Sequence, residues 1–393
     1  MNAEKGMTSP EWHGGLYVHV PFCERKCSYC DFYSVENRSL VEDFLSAIEE
    51  EIRTSAERGR GMHVDTVYIG GGTPSVLTLP QMRRIVDALR CWHTIDPHAE
   101  FTIEVNPGTV TREALSEFRM LGCNRLSIGI QSFDDAELAF LERIHSADEA
   151  RGCVADARAA GFENLSLDLI TALPGQTVEG CVRSLEEAVA LQPEHISAYT
   201  LIIEEHTPLF DRVKEGRVVP LDDARETQCY ETTMAVLERA GFEHYEVSSF
   251  ARPGRRSRHN SAYWNHTSYF GFGPSAHSFL WKGGDAQARR WANVRSIGAY
   301  CERLRVGQSP ADQEETLTPD QLFDEAVFLG LRSDGLDMGV LEGLRAEGLT
   351  RRQRETLREI CEAGLAFRDG ERVRLTPKGY VLCDEICARL LVS

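Results

Sequence analysis

The sequence predicts an α/β protein, a partial barrel of six strand–helix units followed by a small helical, winged-helix-like domain. Three observations carry that expectation. Six short β-branched or apolar runs between residues 16 and 201 recur about every 36 residues with amphipathic stretches between them, the mark of successive parallel βαβ units. Polar or glycine-rich residues stand at or just after the ends of those runs, as on the rim of a βα barrel where one face gathers the site. From Thr318 the rhythm changes to helices around an Asp369-Gly370 turn.

In chain order, strands are expected at 16–20, 64–69, 101–105, 125–130, 165–170 and 195–201, and helices at 40–52, 79–89, 112–120, 147–160 and 178–191. A less regular stretch then carries a helix near 224–240, a strand near 245–250 and a loop at 252–281 rich in Arg, Gly, Ser, His and aromatic residues. Helices at 319–331, 338–344 and 351–362, a hairpin at 365–375 and a last helix at 376–391 complete the chain. The expected division is 1–15 as an extension, 16–240 as the barrel, 241–317 as a connecting region and 318–393 as the terminal domain.

Composition narrows the function. With 42% apolar and 26% charged residues in 393, the chain reads as an ordinary globular protein. Its net charge of −18 sets the average surface against nucleic acid, and the terminal domain, with 11 basic and 14 acidic residues, offers no basic face for DNA. Neither a signal peptide nor a transmembrane run is expected, which points to the cytoplasm and leaves peripheral membrane contact open. The twelve cysteines are scattered apart from one cluster near the start and the pair Cys383 and Cys387, a usage that suits a reducing compartment.

That cluster is the sharpest signal. Cys23, Cys27 and Cys30 form a Cys-x3-Cys-x2-Cys run directly after the first strand. Three thiolates can hold three irons of a [4Fe–4S] cluster and leave the fourth iron open to an outside ligand. The competing zinc reading needs a fourth protein ligand, for which nearby His19 is not obviously placed. After the second strand comes Gly70-Gly71-Gly72-Thr73-Pro74, where missing side chains let backbone approach a ligand. Glu104, Gln131, Arg143 and Asp168 continue the rim, though each taken singly reads as a capping or solvated residue.

Taken together these residues resemble the radical S-adenosylmethionine (SAM) superfamily, which shares the cysteine spacing, an aromatic before the last cysteine (Tyr29) and the glycine run after the second strand. The resemblance implies a partial (β/α)6 barrel, a [4Fe–4S] cluster whose free iron is chelated by SAM, and reductive cleavage of SAM to a 5′-deoxyadenosyl radical. The runs 17–23, 103–107, 129–133 and 168–176 align with a narrower family, the one that contains anaerobic coproporphyrinogen III oxidase and the HemW haem chaperones. By that likeness Tyr17, Tyr29, Gly71, Gly72, Thr73, Glu104, Gln131, Arg143 and Asp168 bind SAM.

Two features choose between the branches. The oxidase has a further cysteine two positions beyond the triplet, and Phe32 stands there instead, so coproporphyrinogen oxidation is not expected. His259-Asn260-Ser261-Ala262-Tyr263-Trp264 resembles the HNxxYW motif of the haem chaperones, which implies haem as a further ligand and a haem-accepting protein, such as one of the respiratory chain, as partner. An imidazole beside two aromatic rings suits haem, so His259 is the expected axial ligand, with His266, His277 or a cysteine as competitors. Arg252, Arg255, Arg256 and Arg258 are placed to pair with propionates or to form a solvated basic loop.

Overall fold

The computed structural model describes residues 12–283, 287–345 and 347–391. Six parallel strands, β1 (Trp12–Val20), β2 (Met62–Gly71), β3 (Thr94–Val105), β4 (Arg125–Gln131), β5 (Leu165–Thr171) and β6 (His195–Thr200), lie side by side in chain order. The helices between them include Val41–Ser55, Leu79–Trp92, Arg112–Met120, Ala147–Ala159 and Val178–Ala190, each close to its expected place. Parallel neighbours need such crossovers, which is why the strand–helix rhythm was readable. Strands β1 and β3 begin earlier than expected, at Trp12 and Thr94, because their leading residues are mostly polar, glycine or proline and lack the apolar run that marks a strand. Residues 12–15 therefore belong to the sheet, and the rest of the expected extension lies outside the described residues.

The sheet extends past the six strands and does not close. Residues 243–251 form two strands, β7 (Glu243–Glu246) and β8 (Ser249–Ala251), with β8 antiparallel to β6. The segment expected as a loop at 252–281 holds helix Arg258–Trp264 and the strands β9 (Ser268–Phe272) and β10 (His277–Leu280). With β11 (Ala288–Asn293) and β12 (Ala311–Leu317) the order is β12-β11-β10-β9-β1-β2-β3-β4-β5-β6-β8-β7, and β9 runs parallel to β1. Short strands flanked by glycine, such as Ser268–Phe272 before Gly273, give too weak a pattern for sequence reading to separate from loop.

Alternation places the chemistry. On β1, Leu16, Val18 and Val20 are wholly buried in the apolar core that the helices complete. The other face carries Glu100, Thr102 and Glu104 on β3, Arg125, Ser127, Gly129 and Gln131 on β4, and Ser166 and Asp168 on β5. Register sets Glu104 beside Ser127 and Asp168 beside Ser197, so one strip of polar groups crosses the sheet.

The terminal domain has the expected helices Pro319–Leu331, Met338–Leu344 and Arg351–Glu362, and its hairpin turns at Gly370, whose φ of 60° suits glycine. Strands β14 (Ala366–Asp369) and β15 (Arg372–Leu375) gain a third partner, β13 (Leu336–Asp337), and the last helix is two, Pro377–Val381 and Cys383–Leu391. This domain shares its core with the barrel: the Val247 N–H donates to the Arg332 carbonyl at 2.8 Å, and the rings of His244 and Tyr380 are 4.4 Å apart. Among the described residues no helix is long and apolar enough to cross a membrane.

Candidate functional site

A cavity of about 500 Å³ opens where the carboxyl ends of β2 to β6 meet the loop after β1. Cys23, Cys27, Cys30 and Tyr29 line it from that loop; Gly71, Gly72, Thr73, Glu104, Gln131, Arg143 and Asp168 line it from the strand ends. The cysteine loop is folded back by hydrogen bonds from Cys23 N–H to Val35 O at 3.0 Å and from Cys30 N–H to Cys27 O at 3.2 Å. All three thiols are free. Among the described residues no three His, Cys, Asp or Glu side chains are grouped for a single metal ion, whereas a four-iron cluster takes its thiolates on separate irons.

Opposite the thiols the backbone is bare. Gly71 has φ of 110°, and a side-chain carbon there would lie 2.6 Å from His19 Nδ1; at Gly72 it would lie 2.6 Å from Phe22 O. Neither position admits a side chain, which leaves peptide groups at the wall. The Gly71 N–H donates to Glu104 Oε2 at 3.0 Å, and Tyr68 Oη donates to Glu104 Oε1 at 2.8 Å. Burial, with Asp168 nearby, pushes the Glu104 carboxyl up to about 7 against those two hydrogen bonds. Burial also raises Asp168, whose carboxylate accepts from Ser127 Oγ at 2.8 Å and Ser166 Oγ at 3.1 Å. The wholly buried Arg125 guanidinium favours both carboxylates in their ionised form.

Arg143 ties the two walls together. Its Nη2 donates to Asn106 Oδ1 at 2.6 Å and Gly129 O at 2.9 Å, and Nη1 lies 3.7 Å from Cys27 Sγ. Asn106 Nδ2 donates onward to Thr73 Oγ1 at 2.9 Å, and Thr73 Oγ1 lies 3.6 Å from Cys23 Sγ. Arg143 Nε is buried without a hydrogen-bond partner. Gln131 sits at φ of 69°, a strained backbone of the kind that collects at functional sites. Two acceptor carboxylates, a guanidinium and bare backbone are groups able to meet an ammonium, a carboxylate and sugar hydroxyls.

Two expected residues are not brought to this cavity. Tyr17 stands behind its wall, its Oη 3.1 Å from His19 Nδ1. His259 lies against the sheet on helix Arg258–Trp264, 1% exposed, with Nδ1 2.8 Å from Thr66 Oγ1 and Nε2 2.8 Å from Tyr263 Oη. Three of the four arginines before it are engaged as well: Arg252 on the Ala240 carbonyl, Arg256 on Asp334 at 2.8 Å, and Arg258 on the His98 carbonyl at 3.0 Å, while Arg255 is exposed. Asn106 and Ser127 are site residues that sequence reading missed. Strand alternation from Gln131 back through Gly129 puts Ser127 on the same face and was the available signal.

This fold and this cavity define a radical SAM protein: residues 17–188 match the model of the radical SAM superfamily, and residues 317–382 match that of the HemN C-terminal domain. The chain is 35% identical over 383 residues to the heme chaperone HemW of Bacillus subtilis (strain 168), covering 95% of this chain and 98% of that protein. It is 38% identical over 310 residues to the heme chaperone HemW of Escherichia coli (strain K12), covering 78% and 80%. Within the superfamily, the chain belongs to the HemW family. In structure it is similar to coproporphyrinogen III oxidase (HemN) from Escherichia coli, with a TM-score of 0.84 and 25% identity over 98% of this chain and 91% of that one.

Proposed function

We propose that the protein is a cytoplasmic haem chaperone that binds a [4Fe–4S] cluster and SAM at the barrel rim and takes up haem for delivery to an acceptor, a respiratory haem protein. The observation that carries the reading is similarity to heme chaperones along nearly the whole chain, together with Phe32 at the oxidase's extra cysteine. Cys23, Cys27 and Cys30 would hold the cluster, which when bound supplies an open iron site and an electron. Tyr29, Gly71, Gly72, Thr73, Glu104, Gln131, Arg143 and Asp168 surround the volume left for SAM. The Arg143 guanidinium would meet its carboxylate, and the buried Glu104 and Asp168 would accept from its ammonium or ribose hydroxyls.

At the mouth, Phe32 is 67% exposed and lines the cavity beside Ile202 and Tyr199. An apolar ring here in place of a thiol supports the chaperone over the oxidase, since a ring donates neither a cluster ligand nor a proton. The test is anaerobic reconstitution with iron, sulfide, SAM and haem, followed by incubation with a haem-depleted acceptor. Stoichiometric haem uptake and restored acceptor activity are expected, and coproporphyrinogen III with reductant and electron acceptor should yield no protoporphyrinogen. Sustained turnover of coproporphyrinogen without haem uptake would overturn the reading.

A further inference from the structure

Of the motif that suggests haem, His259 is buried against the sheet and Asn260 to Trp264 are half-buried. Helix Arg258–Trp264 is seated by the Glu100 carboxylate, which accepts the N–H of Arg258 at 3.0 Å and of His259 at 2.9 Å, and by Ser257 Oγ, which accepts the Asn260 N–H at 3.2 Å. Strand β1 leaves a slot for the imidazole at Gly15: a side-chain carbon there would stand 2.7 Å from Thr66 Oγ1 and 3.2 Å from His259 Nδ1. Both ring nitrogens are hydrogen-bonded at 2.8 Å. Burial holds the ring neutral, so one nitrogen donates and the other accepts. An axial ligand must turn a free lone pair to iron, and this ring has none to turn.

What the ring does touch leads back to the rim. The imidazole stacks on Tyr68, centroids 5.0 Å apart and planes 25° from parallel. Tyr68 in turn donates its hydroxyl to Glu104, and Glu104 holds the Gly71 N–H. Tyr17 packs against both rings, its centroid 6.2 Å from that of Tyr68 and 6.4 Å from that of His259. A tyrosine ring has only two torsions by which to lose its aim, and a partner stacked on its face restrains both.

We propose that His259 is a positioning residue for the SAM rim, acting on Glu104 through the ring of Tyr68, and that it is not the axial ligand of haem. The inference rests on the cavity being the SAM site. Its test is a double-mutant cycle on anaerobically reconstituted proteins matched for iron content, reading SAM affinity by equilibrium dialysis and the haem Soret spectrum on the same preparations. His259→Ala should weaken SAM binding about tenfold, the range expected when a hydrogen-bonded partner loses its place. Tyr68→Phe, which removes only the hydroxyl, should shift it in the same direction, and His259→Ala should add little in a Glu104→Ala background. Gly15→Ala keeps the imidazole but fills its slot, so it should reproduce the SAM defect even where His259→Ala fails to fold. Haem uptake and Soret position should match wild type throughout.

Unchanged SAM affinity in His259→Ala and Gly15→Ala, full additivity with Glu104→Ala, or a Soret shift in His259→Ala would overturn the inference. Wild type that takes up no haem would instead overturn the chaperone reading, and the SAM arm would still decide the role of His259. His266→Ala and His277→Ala belong in the same series, because His277 is exposed on β10 and His266 is engaged with Glu325 at 3.3 Å.

Discussion

Arg143 shows how much one side chain can organise. Its guanidinium reaches Asn106, the Gly129 carbonyl and the neighbourhood of Cys27 Sγ, and its Nε is buried without a partner. A lysine cannot copy that fork, so Arg143→Lys should lose most SAM affinity, on the order of tenfold or more by equilibrium dialysis, with iron content retained. Asn106→Ala should cost several-fold, because it releases both Arg143 and Thr73. Wild-type affinity in both would show that SAM does not lie against this wall. The cysteines allow a separate check: triple replacement by Ala should abolish the visible cluster absorption and about four irons per chain. Full iron and sulfide in that variant would place the cluster elsewhere.

Among the elements, helix Val41–Ser55 carries an unusual tie. Its Glu51, enclosed in the core, accepts from the Gly273 N–H at 2.8 Å, Asn293 Nδ2 at 2.6 Å and Tyr300 Oη at 2.5 Å, clamping the helix to β11 and to helix Ile297–Arg305. Burial outweighs these bonds and pushes its carboxyl up to about 7. Below pH about 4.5 Glu51 is protonated in both folded and unfolded chains and makes no difference. Between there and pH about 7 the unfolded chain gives up the proton first, so stability falls as pH rises, by up to about 3 kcal/mol. Glu51→Gln cannot ionise and should flatten that slope, which urea midpoints at pH 5.5 and 8 will read. An equal slope in both proteins would show that Glu51 does not titrate in this window.

Across the whole molecule, barrel and terminal domain behave as one core with a polar strap. Arg256 spans from the segment before helix Arg258–Trp264 to Asp334, with both carboxylate oxygens within 2.9 Å, and its guanidinium lies over the Tyr245 ring, 5.2 Å from the centroid. The pair is one-third exposed, so Arg256→Ala should cost no more than about 1 kcal/mol of global stability. Hydrogen exchange should instead speed up at the barrel-facing side of helix Pro319–Leu331, while cluster content stays fixed. Uniform exchange in that helix would mean that the apolar contacts alone hold the domain. The same acidic whole, at −18, should leave the terminal domain without affinity for DNA at physiological salt.

The sequence by itself determined the parallel βα rhythm, the cysteine triplet, the glycine run and the rim carboxylates. Each of these is written locally: a period, a spacing, or a residue type at the end of a strand. The tertiary structure decided what no local pattern encodes. Asn106 is a site residue because Thr73 and Arg143, 33 and 37 positions away, converge on it, and nothing in its neighbours announces that. His259 turned inward because Gly15 and Thr66, far back in the chain, leave a slot of its size and supply its partner. A motif fixes which groups lie near one another along the chain; whether they face solvent or a strand some 190 residues distant depends on long-range packing, which only the folded molecule settles.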